Sequence, residues 1–438
     1  MDSAEIIRNS FQKLKKDLDF IKEEISGLKD EIKKIKGGGN MIYNGFDKKI
    51  KLKKDTFYKD RETRKNLAEF ITSTEQLSMG PYCKRFEGEF SRYQGRKYSV
   101  LFNSGSSANL ALIQALLNIG LLKRGDSVGF SALTWSTNVM PLIQLGLNPI
   151  PIDVSLENLN VNSENLLGLE KKIRALFITN LLGFCGDLDK IKRICAEKKI
   201  LLIEDNCESL GSELNGIKLG NFGFAGTMSF FVGHHLSTVE GGMVFTDDEE
   251  LYDALLSVRE HGWGRGLNKE KREFLREKHR ISDFYEQYSF YNLGYNLRPT
   301  EITGFLGLEQ LKHIGEIVSN RERNFQRFLR VANINEDILR LDVSHMDVVS
   351  NFAYSLVFKS GEIFERYRRK FSEKVEIRPI VAGSITEQPF FVNFIGTKEK
   401  YPNAKKIHQF GFYFPNREDL TEEEINIIVN LLRKDQDS

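Results

Sequence analysis

The stretch Leu201-Leu-Ile-Glu-Asp-Asn-Cys-Glu208 is the part of the sequence that decides the fold. An apolar run that ends in carboxylates is typical of a strand in a parallel sheet covered on both faces. Ligands of open α/β sheets bind at the carboxyl edge of such strands. A buried Asp205 at that edge needs a cationic partner, because an isolated carboxylate would take up a proton. The alternative for Asp205 is that it caps a helix.

Strands and helices alternate on both sides of this stretch, which predicts a mostly parallel, doubly wound α/β sheet over residues 41–315. Residues 316–438 mix helix and strand, and they predict a smaller C-terminal α+β domain that ends in a helix over Thr421–Lys434. The predicted strands are Tyr98–Asn103, Ser127–Ser131, Ala175–Asn180, Ile200–Asp205 and Thr227–Val232, with another strand after Glu240-Gly-Gly. The predicted helices between them include Ala108–Asn118 and Leu188–Lys198.

Residues 1–36 predict a separate coiled-coil helix, because apolar residues recur there at alternating steps of four and three. Acidic g positions and lysines at e positions flank this seam, as a parallel pair of helices requires. The alternative is a single amphipathic helix packed on its own globule. Residues 37–40 form a glycine linker. The seam residues are Ile7, Phe11, Leu14, Leu18, Ile21, Ile25, Leu28, Ile32 and Ile35.

Composition excludes several classes of function. The 438 residues carry 63 basic and 61 acidic side chains, a net charge of +2, so we expect neither nucleic acid nor an anionic membrane as a partner. No run approaches the roughly 18 apolar residues of a membrane span. The four cysteines lie far apart without metal-ligand spacing, so we expect no metal site. Together with a charged amino terminus, these features predict a cytoplasmic protein.

Two further segments carry candidate chemistry. Asn103-Ser-Gly-Ser-Ser-Ala-Asn109 follows a strand and opens a helix, and Gly105 permits a tight turn that leaves backbone N–H groups free for an anion. In the second segment a strand from Ser229 runs into a loop with two adjacent histidines, His234 and His235. A single histidine is more often structural than catalytic, but an adjacent pair in a glycine-bounded loop favours a functional site.

These three segments, in the order in which they follow one another along the chain and at these separations, resemble the DegT/StrS family of sugar aminotransferases. The resemblance runs from Leu77-Ser-Met-Gly-Pro-Tyr82 to Gly411-Phe-Tyr-Phe and covers essentially everything after residue 41. It implies a type I, aspartate aminotransferase-like fold. It also implies pyridoxal 5′-phosphate or pyridoxamine 5′-phosphate as the cofactor.

The resemblance also implies a role for particular residues. The cofactor phosphate would be held at Gly105 by Ser106, Ser107 and Ser229. Trp135 would stack on the pyridine ring, Asp205 would pair with the ring nitrogen, and Glu208 would lie near the ring hydroxyl. Asn296, in Tyr295-Asn-Leu-Arg298, would reach the partner's phosphate in a homodimer with shared active sites. The coiled coil could then join such dimers into a larger oligomer.

One departure from the family pattern indicates the activity. Five residues after Ser229 the family has the lysine that binds the cofactor covalently, whereas this chain has His234. This change and the phrase His234-His-Leu-Ser-Thr-Val-Glu-Gly-Gly resemble the sugar 3-dehydratases of the colitose and ascarylose pathways. Glu376-Ile-Arg-Pro-Ile-Val-Ala-Gly-Ser-Ile-Thr-Glu-Gln-Pro389 is similar to their C-terminal substrate loop.

The resemblance implies C3 dehydration of a nucleotide-linked 4-keto-6-deoxyhexose, with L-glutamate as the amino donor. Imidazole can move protons near neutral pH, so His234 is the candidate base and His235 the alternative. Arg259–Arg265 has no cysteine where the ascarylose-type enzyme binds an iron–sulfur cluster, so we expect no cluster. Two other readings stay open, a half-transamination and a non-catalytic scaffold or regulator.

Overall fold

The computed structural model describes residues 49–169, 171–396 and 400–434. The predicted coiled-coil helix and glycine linker lie outside these residues, so both stay predictions. Within the described residues, no helix is long and apolar enough to cross a bilayer.

The described chain begins with two helices and then alternates strand and helix as far as the strand Leu201–Asp205. The strands from there to Gly242–Thr246 follow one another without an intervening helix. The strands are β1 Tyr98–Phe102, β2 Ser127–Ser131, β3 Asn148–Ile152, β4 Ala175–Thr179, β5 Leu201–Asp205, β6 Glu213–Leu214, β7 Ile217–Lys218, β8 Ala225–Ser229, β9 Gly242–Thr246, β10 Ala353–Val357, β11 Arg378–Pro379 and β12 Gly411–Pro415. The helices are α1 Asp60–Ser73, α2 Pro81–Gln94, α3 Gly105–Asn118, α4 Met140–Gln144, α5 Ser163–Leu167, α6 Leu188–Glu197, α7 Glu249–Arg259, α8 Lys269–Lys278, α9 Asp283–Glu286, α10 Glu301–Leu311, α11 Ile314–Ala332, α12 Gly361–Ser372, α13 Pro389–Phe394, α14 Pro402–Phe410 and α15 Glu422–Leu432.

Seven strands form the central sheet in the order β1-β9-β8-β5-β4-β2-β3. Neighbours from β8 to β3 pair in parallel, and β9 runs antiparallel between β1 and β8. The prediction of a mostly parallel sheet is therefore confirmed. Since the parallel strands end at the same edge, the loops after β2, β4, β5 and β8 meet there.

Both faces of the sheet are buried, and the first four residues of β4 are accordingly all apolar. Leu176 and Ile178 enter one hydrophobic cluster, whereas Ala175 and Phe177 enter another. Successive side chains of a strand point to opposite faces, so a strand covered on both sides is apolar at successive positions. The polar residue of β4, Thr179, is at its carboxyl end. All four apolar residues are fully buried.

A second, antiparallel sheet in the order β10-β12-β11 lies in the C-terminal part of the chain. Its Phe412 and Phe414 join the same cluster as Leu176 and Ile178 of the central sheet. The predicted boundary after residue 315 falls within the first turn of α11, and this domain division stays a prediction. The predicted last helix forms as α15, with a capping box between Thr421 and Glu424.

Two strands differ from the prediction for identifiable reasons. β3 was not predicted, because Pro149 and Pro151 interrupt it; both are tolerated since β3 is an edge strand. β8 begins earlier than predicted, at Ala225, and ends at Ser229. Its first residues have low strand propensity, but they are paired on both sides by β5 and β9. Tertiary pairing therefore overrides local propensity at this position.

Candidate active site

A cavity of about 460 Å³ opens at the carboxyl edge of the central sheet. Its walls include Ser104, Gly105 and Ser106 after β1, Thr179 at the end of β4, Asp205 at the end of β5 and Ser229 at the end of β8. The other lining residues are Leu52, Lys53, Trp135, Thr137, Asn138, Cys207, Glu208, Phe231, Val232, Gly233, His234, Glu240, Phe352, Arg378, Val381 and Tyr413. The three segments singled out in the sequence thus meet in one cavity.

The amino terminus of α3 forms a cradle for an anion. The Ser104 side chain caps the helix by accepting a 3.0 Å hydrogen bond from the backbone N–H of Ser107. A Cβ on Gly105 would lie 2.6 Å from the Cβ of Ser229, so a side chain at this position cannot fit without displacing β8. Glycine therefore lets the helix start close to Ser229, where free N–H groups and the helix dipole favour negative charge.

The serines of this cradle differ in their access to the cavity. Ser106 is exposed and lines the cavity. Ser229 also lines the cavity but is buried. Ser107 does not line the cavity, and its hydroxyl accepts a 2.9 Å hydrogen bond from the Ser104 hydroxyl. The phosphate-binding role expected for Ser107 stays a prediction.

The Asp205 carboxylate is buried, with 4% of the residue exposed, and three neutral groups hold it. Its Oδ2 accepts hydrogen bonds from the side-chain amides of Asn109 at 2.9 Å and Asn138 at 2.7 Å. Its Oδ1 accepts one from the Cys207 backbone N–H at 2.8 Å. Within the described part of the chain, no basic side chain forms an ion pair with Asp205. The negative charge is thus oriented toward the cavity and left for a cationic group.

Asn138 was not identified from the sequence. Its Oδ1 accepts a 2.9 Å hydrogen bond from Thr134, whose hydroxyl is 2.6 Å from that of Thr179 on β4. This chain fixes the amide that holds Asp205. Asn138 belongs to no recognisable pattern, and Trp135, three residues before it, was the residue of this segment that the family resemblance indicated.

Trp135 and Glu208 also line the cavity. Trp135 is 51% exposed and offers an open indole surface to the cavity. Glu208 accepts a 2.9 Å hydrogen bond from the Leu182 backbone N–H. Burial raises the pKa of Glu208 to about 8, and the charge of Asp205 adds to this increase against the effect of the Leu182 N–H. Glu208 is therefore mostly protonated at neutral pH and can donate a hydrogen bond.

The side chains of the two adjacent histidines lie in different surroundings. His234 lines the cavity, with its ring 5.8 Å from that of Phe231 and 5.3 Å from that of Phe352. Its Nδ1 is buried and has no hydrogen-bond partner among the described residues. His235 is 3% exposed and does not line the cavity. Its Nε2 donates a 3.1 Å hydrogen bond to the Ser350 carbonyl.

The electrostatic surroundings keep His234 neutral. Burial, together with the nearby positive charges of Arg321 and Lys53, lowers its pKa to about 4. The negative charge of Asp205 opposes this decrease. At neutral pH the imidazole is thus unprotonated and can accept a proton.

Asn296 is not part of this cavity in its own chain. It is exposed, its Oδ1 accepts a 3.0 Å hydrogen bond from Arg298, and its backbone pairs with Glu260. The structure therefore brings Gly105, Ser106, Trp135, Asp205, Glu208, Ser229 and His234 together and leaves Ser107, His235 and Asn296 outside.

Fold and site together define an enzyme class that the sequence comparison identifies. Residues 58–433 match the DegT/DnrJ/EryC1/StrS aminotransferase family, and the chain belongs to this family. A curated relative, the GDP-4-keto-6-deoxy-D-mannose 3-dehydratase of Yersinia pseudotuberculosis, is 36% identical over 382 residues, which are 85% of this chain and 96% of the relative.

Solved structures of GDP-4-keto-6-deoxymannose 3-dehydratase share the fold. One, a histidine-to-asparagine variant with bound GDP-perosamine, has a TM-score of 0.79 and 31% identity over 88% of this chain and 100% of that chain. Another contains a trapped PLP-glutamate geminal diamine, with a TM-score of 0.79 and 32% identity over 87% of this chain and 99% of that chain. The predicted family and type I fold are confirmed.

Proposed function

We propose that this protein is a nucleotide-sugar 3-dehydratase that depends on pyridoxamine 5′-phosphate. Its substrate is a 4-keto-6-deoxyhexose linked to a nucleotide, with GDP as the nucleotide because the similar dehydratases use a GDP-sugar. The product is a 4-keto-3,6-dideoxy sugar. The observation that carries the proposal is that His234, and not a lysine, lines the cavity after β8.

The residues of the cavity fit this cofactor at three points. The start of α3 at Gly105 suits a phosphate, and the Asp205 carboxylate lacks a cationic partner among the described residues, as a site for a pyridinium nitrogen requires. The exposed indole of Trp135 suits a flat ring. Glu208, protonated at neutral pH, suits a hydrogen bond to the ring oxygen.

When bound, pyridoxamine phosphate supplies an amine that condenses with the C4 ketone of the sugar and a ring that accepts electrons. Ser106, Ser229 and the N–H groups of α3 bind its phosphate. Asp205 keeps the ring nitrogen protonated, and Asn109 and Asn138 orient Asp205 for this task. His234 would be the group that accepts the proton released at the C4′ carbon, as departure of the C3 hydroxyl of the sugar requires.

L-Glutamate is the reductant of the overall reaction. It is oxidised to 2-oxoglutarate and releases its nitrogen as ammonia, while C3 of the sugar exchanges its hydroxyl for hydrogen. Histidine at the family's lysine position favours this outcome over transamination, because imidazole cannot hold pyridoxal covalently. The related structure with trapped PLP and glutamate supports the choice of donor.

The homodimer with shared active sites is part of the proposal. Asn296 is exposed and outside its own cavity, which suits a residue that serves the partner's phosphate. The preceding segment carries large exposed apolar side chains, which favour burial against a second copy. They are Phe284, Tyr285, Tyr288, Phe290 and Leu293. Assembly through the coiled coil and a cytoplasmic location are also proposed, on sequence grounds alone.

The test is incubation with a panel of 4-keto-6-deoxy nucleotide sugars and L-glutamate, with mass spectrometry of the products. We expect a GDP-sugar product that lacks one oxygen, together with ammonia and 2-oxoglutarate. An amino sugar would instead establish a transamination. No turnover of any substrate by cofactor-loaded protein would favour the scaffold reading.

A further inference from the structure

Lys53 is a cation in the cavity that the proposed chemistry does not use. It is half-buried, and Lys53 and Arg378 are the lysine and arginine side chains among the residues that line the cavity. Within the described chain, no acidic group lies within ion-pairing distance of its ammonium. Burial lowers the pKa of Lys53, and Glu418, Asp419 and Asp55 oppose this decrease from a greater distance.

Two of these three acids already have other partners. Glu418 forms a buried ion pair with Arg321. Asp419 pairs with Arg417 at 2.7 Å. A half-buried ammonium without a partner destabilises a fold, because it loses hydration and gains no compensating contact. Such a group is therefore expected to serve a ligand.

The backbone brings Lys53 and Arg378 to the same wall of the cavity. Ile50 pairs in parallel with Val375, and the Leu52 N–H donates a 2.9 Å hydrogen bond to Oε2 of Glu376. The other oxygen, Oε1, accepts a 2.7 Å hydrogen bond from Arg378. Because the two segments run in the same direction, the residues that follow each of them leave at the same end.

We propose that Lys53 binds a carboxylate of the amino donor, with Arg378 beside it on the same wall. This inference rests on the proposed use of L-glutamate. Glutamate carries two carboxylates that need positively charged partners. The residues of the phosphate cradle that line the cavity are serines and a glycine, so Lys53 and Arg378 are not part of that cradle. Arg378 already shares its charge with Glu376, so Lys53 supplies the uncompensated positive charge. The diphosphate of the nucleotide is the other oxyanion that Lys53 could receive.

The first experiment measures binding to the cofactor-free protein by calorimetry, with glutarate and GDP as separate probes. The variants are Lys53→Met, which keeps the length and removes the charge, and Lys53→Arg, which keeps the charge. Lys51→Met is the control, because Lys51 is exposed and lines neither this cavity nor the small one beside it. We expect Lys53→Met to bind glutarate about tenfold or more weakly and GDP unchanged, with Lys53→Arg closer to wild type.

Four results would overturn the inference. In the first, Lys53→Met binds glutarate as tightly as the wild type does, and in the second the wild type does not bind glutarate. In the third, Lys53→Met loses affinity for GDP and not for glutarate. In the fourth, Lys53→Met loses affinity for both probes equally and has a lower Tm. In the loaded enzyme, the L-glutamate concentration for half-maximal conversion of the pyridoxal form should rise about tenfold in Lys53→Met. This half-reaction needs no sugar. If the tenfold rise is not found, the inference about Lys53 fails while the proposed dehydration stands. Conversely, absence of a dideoxy sugar leaves the Lys53 result intact.

Discussion

The His234 imidazole packs against the Phe352 ring, with 5.3 Å between the ring centroids and 42° between the planes. Phe352 also meets His235 edge-on at 6.3 Å. One aromatic side chain, more than a hundred residues away in sequence, thus contacts both a histidine that lines the cavity and a buried histidine that does not. The different surroundings of the two imidazoles lead to different expectations for their substitution.

His234→Asn should lower the dehydration rate by at least about a hundredfold, because it keeps a polar side chain and removes the group that accepts the proton. His235→Asn is the matched control and should lose much less activity. It should lower the Tm, since the buried hydrogen bond to the Ser350 carbonyl is lost. Initial rates and thermal melts of both variants check this. A near-wild-type His234→Asn with an inactive His235→Asn would transfer the role to His235.

Phe352→Ala should move the pH dependence of catalysis. A base works in its unprotonated form, so kcat/KM should rise with pH through the pKa of His234, which burial lowers to about 4. Removing the Phe352 ring admits water, stabilises the protonated imidazole and moves the pKa up toward its ordinary value. The acidic limb of the pH–rate profile should therefore shift to higher pH. An unchanged limb would show that Phe352 does not control the protonation of His234.

Gly105→Ala should raise the Kd for pyridoxamine phosphate by about tenfold or more, because its Cβ would collide with Ser229 and displace the phosphate cradle. Gly88→Ala in α2 is the control, since a Cβ there meets no atom within 4 Å. Titration of cofactor-free protein, followed by absorbance, measures both affinities. Equal affinities for Gly105→Ala and wild type would mean that the phosphate binds elsewhere.

Borohydride reduction of the pyridoxal form should leave no pyridoxyl group on an active-site lysine. His234 replaces the family's lysine, and Lys53 is the lysine among the residues that line the cavity. Peptide mapping after reduction checks both positions. A label on Lys53 that abolishes activity would make Lys53 a covalent anchor and contradict its role as a carboxylate-binding group.

Deletion of residues 1–39 should leave a folded dimer that still binds the cofactor. The reason is that the proposed dimer contact lies at Asn296, within the family-matched region. Light scattering of full-length and truncated protein measures the stoichiometry. A monomeric truncated chain would mean that the coiled coil holds the active-site dimer together, and equal stoichiometries would limit the coiled coil to reinforcing it.

The sequence alone predicted those features that depend on local backbone geometry. The apolar run before Asp205, the glycine at the start of α3 and the loop after Ser229 each specify a strand and the turn that follows it. Because parallel strands end at one edge, these local patterns already implied a common cavity. The replacement of the family's lysine by His234 was likewise a property of the sequence, as was the heptad seam of residues 7–35.

Tertiary structure alone decided which of two adjacent imidazoles reaches the cavity, because Ser350 and Phe352 approach them from a distant part of the chain. The same holds for Asn138, which follows β2 in the chain and reaches Asp205 at the end of β5, with β4 between these two strands in the sheet. Lys53 joins the cavity through pairing of residues 50–52 with residues 374–376. No local pattern marks such residues, since their surroundings are set by segments that meet only when the whole chain has packed.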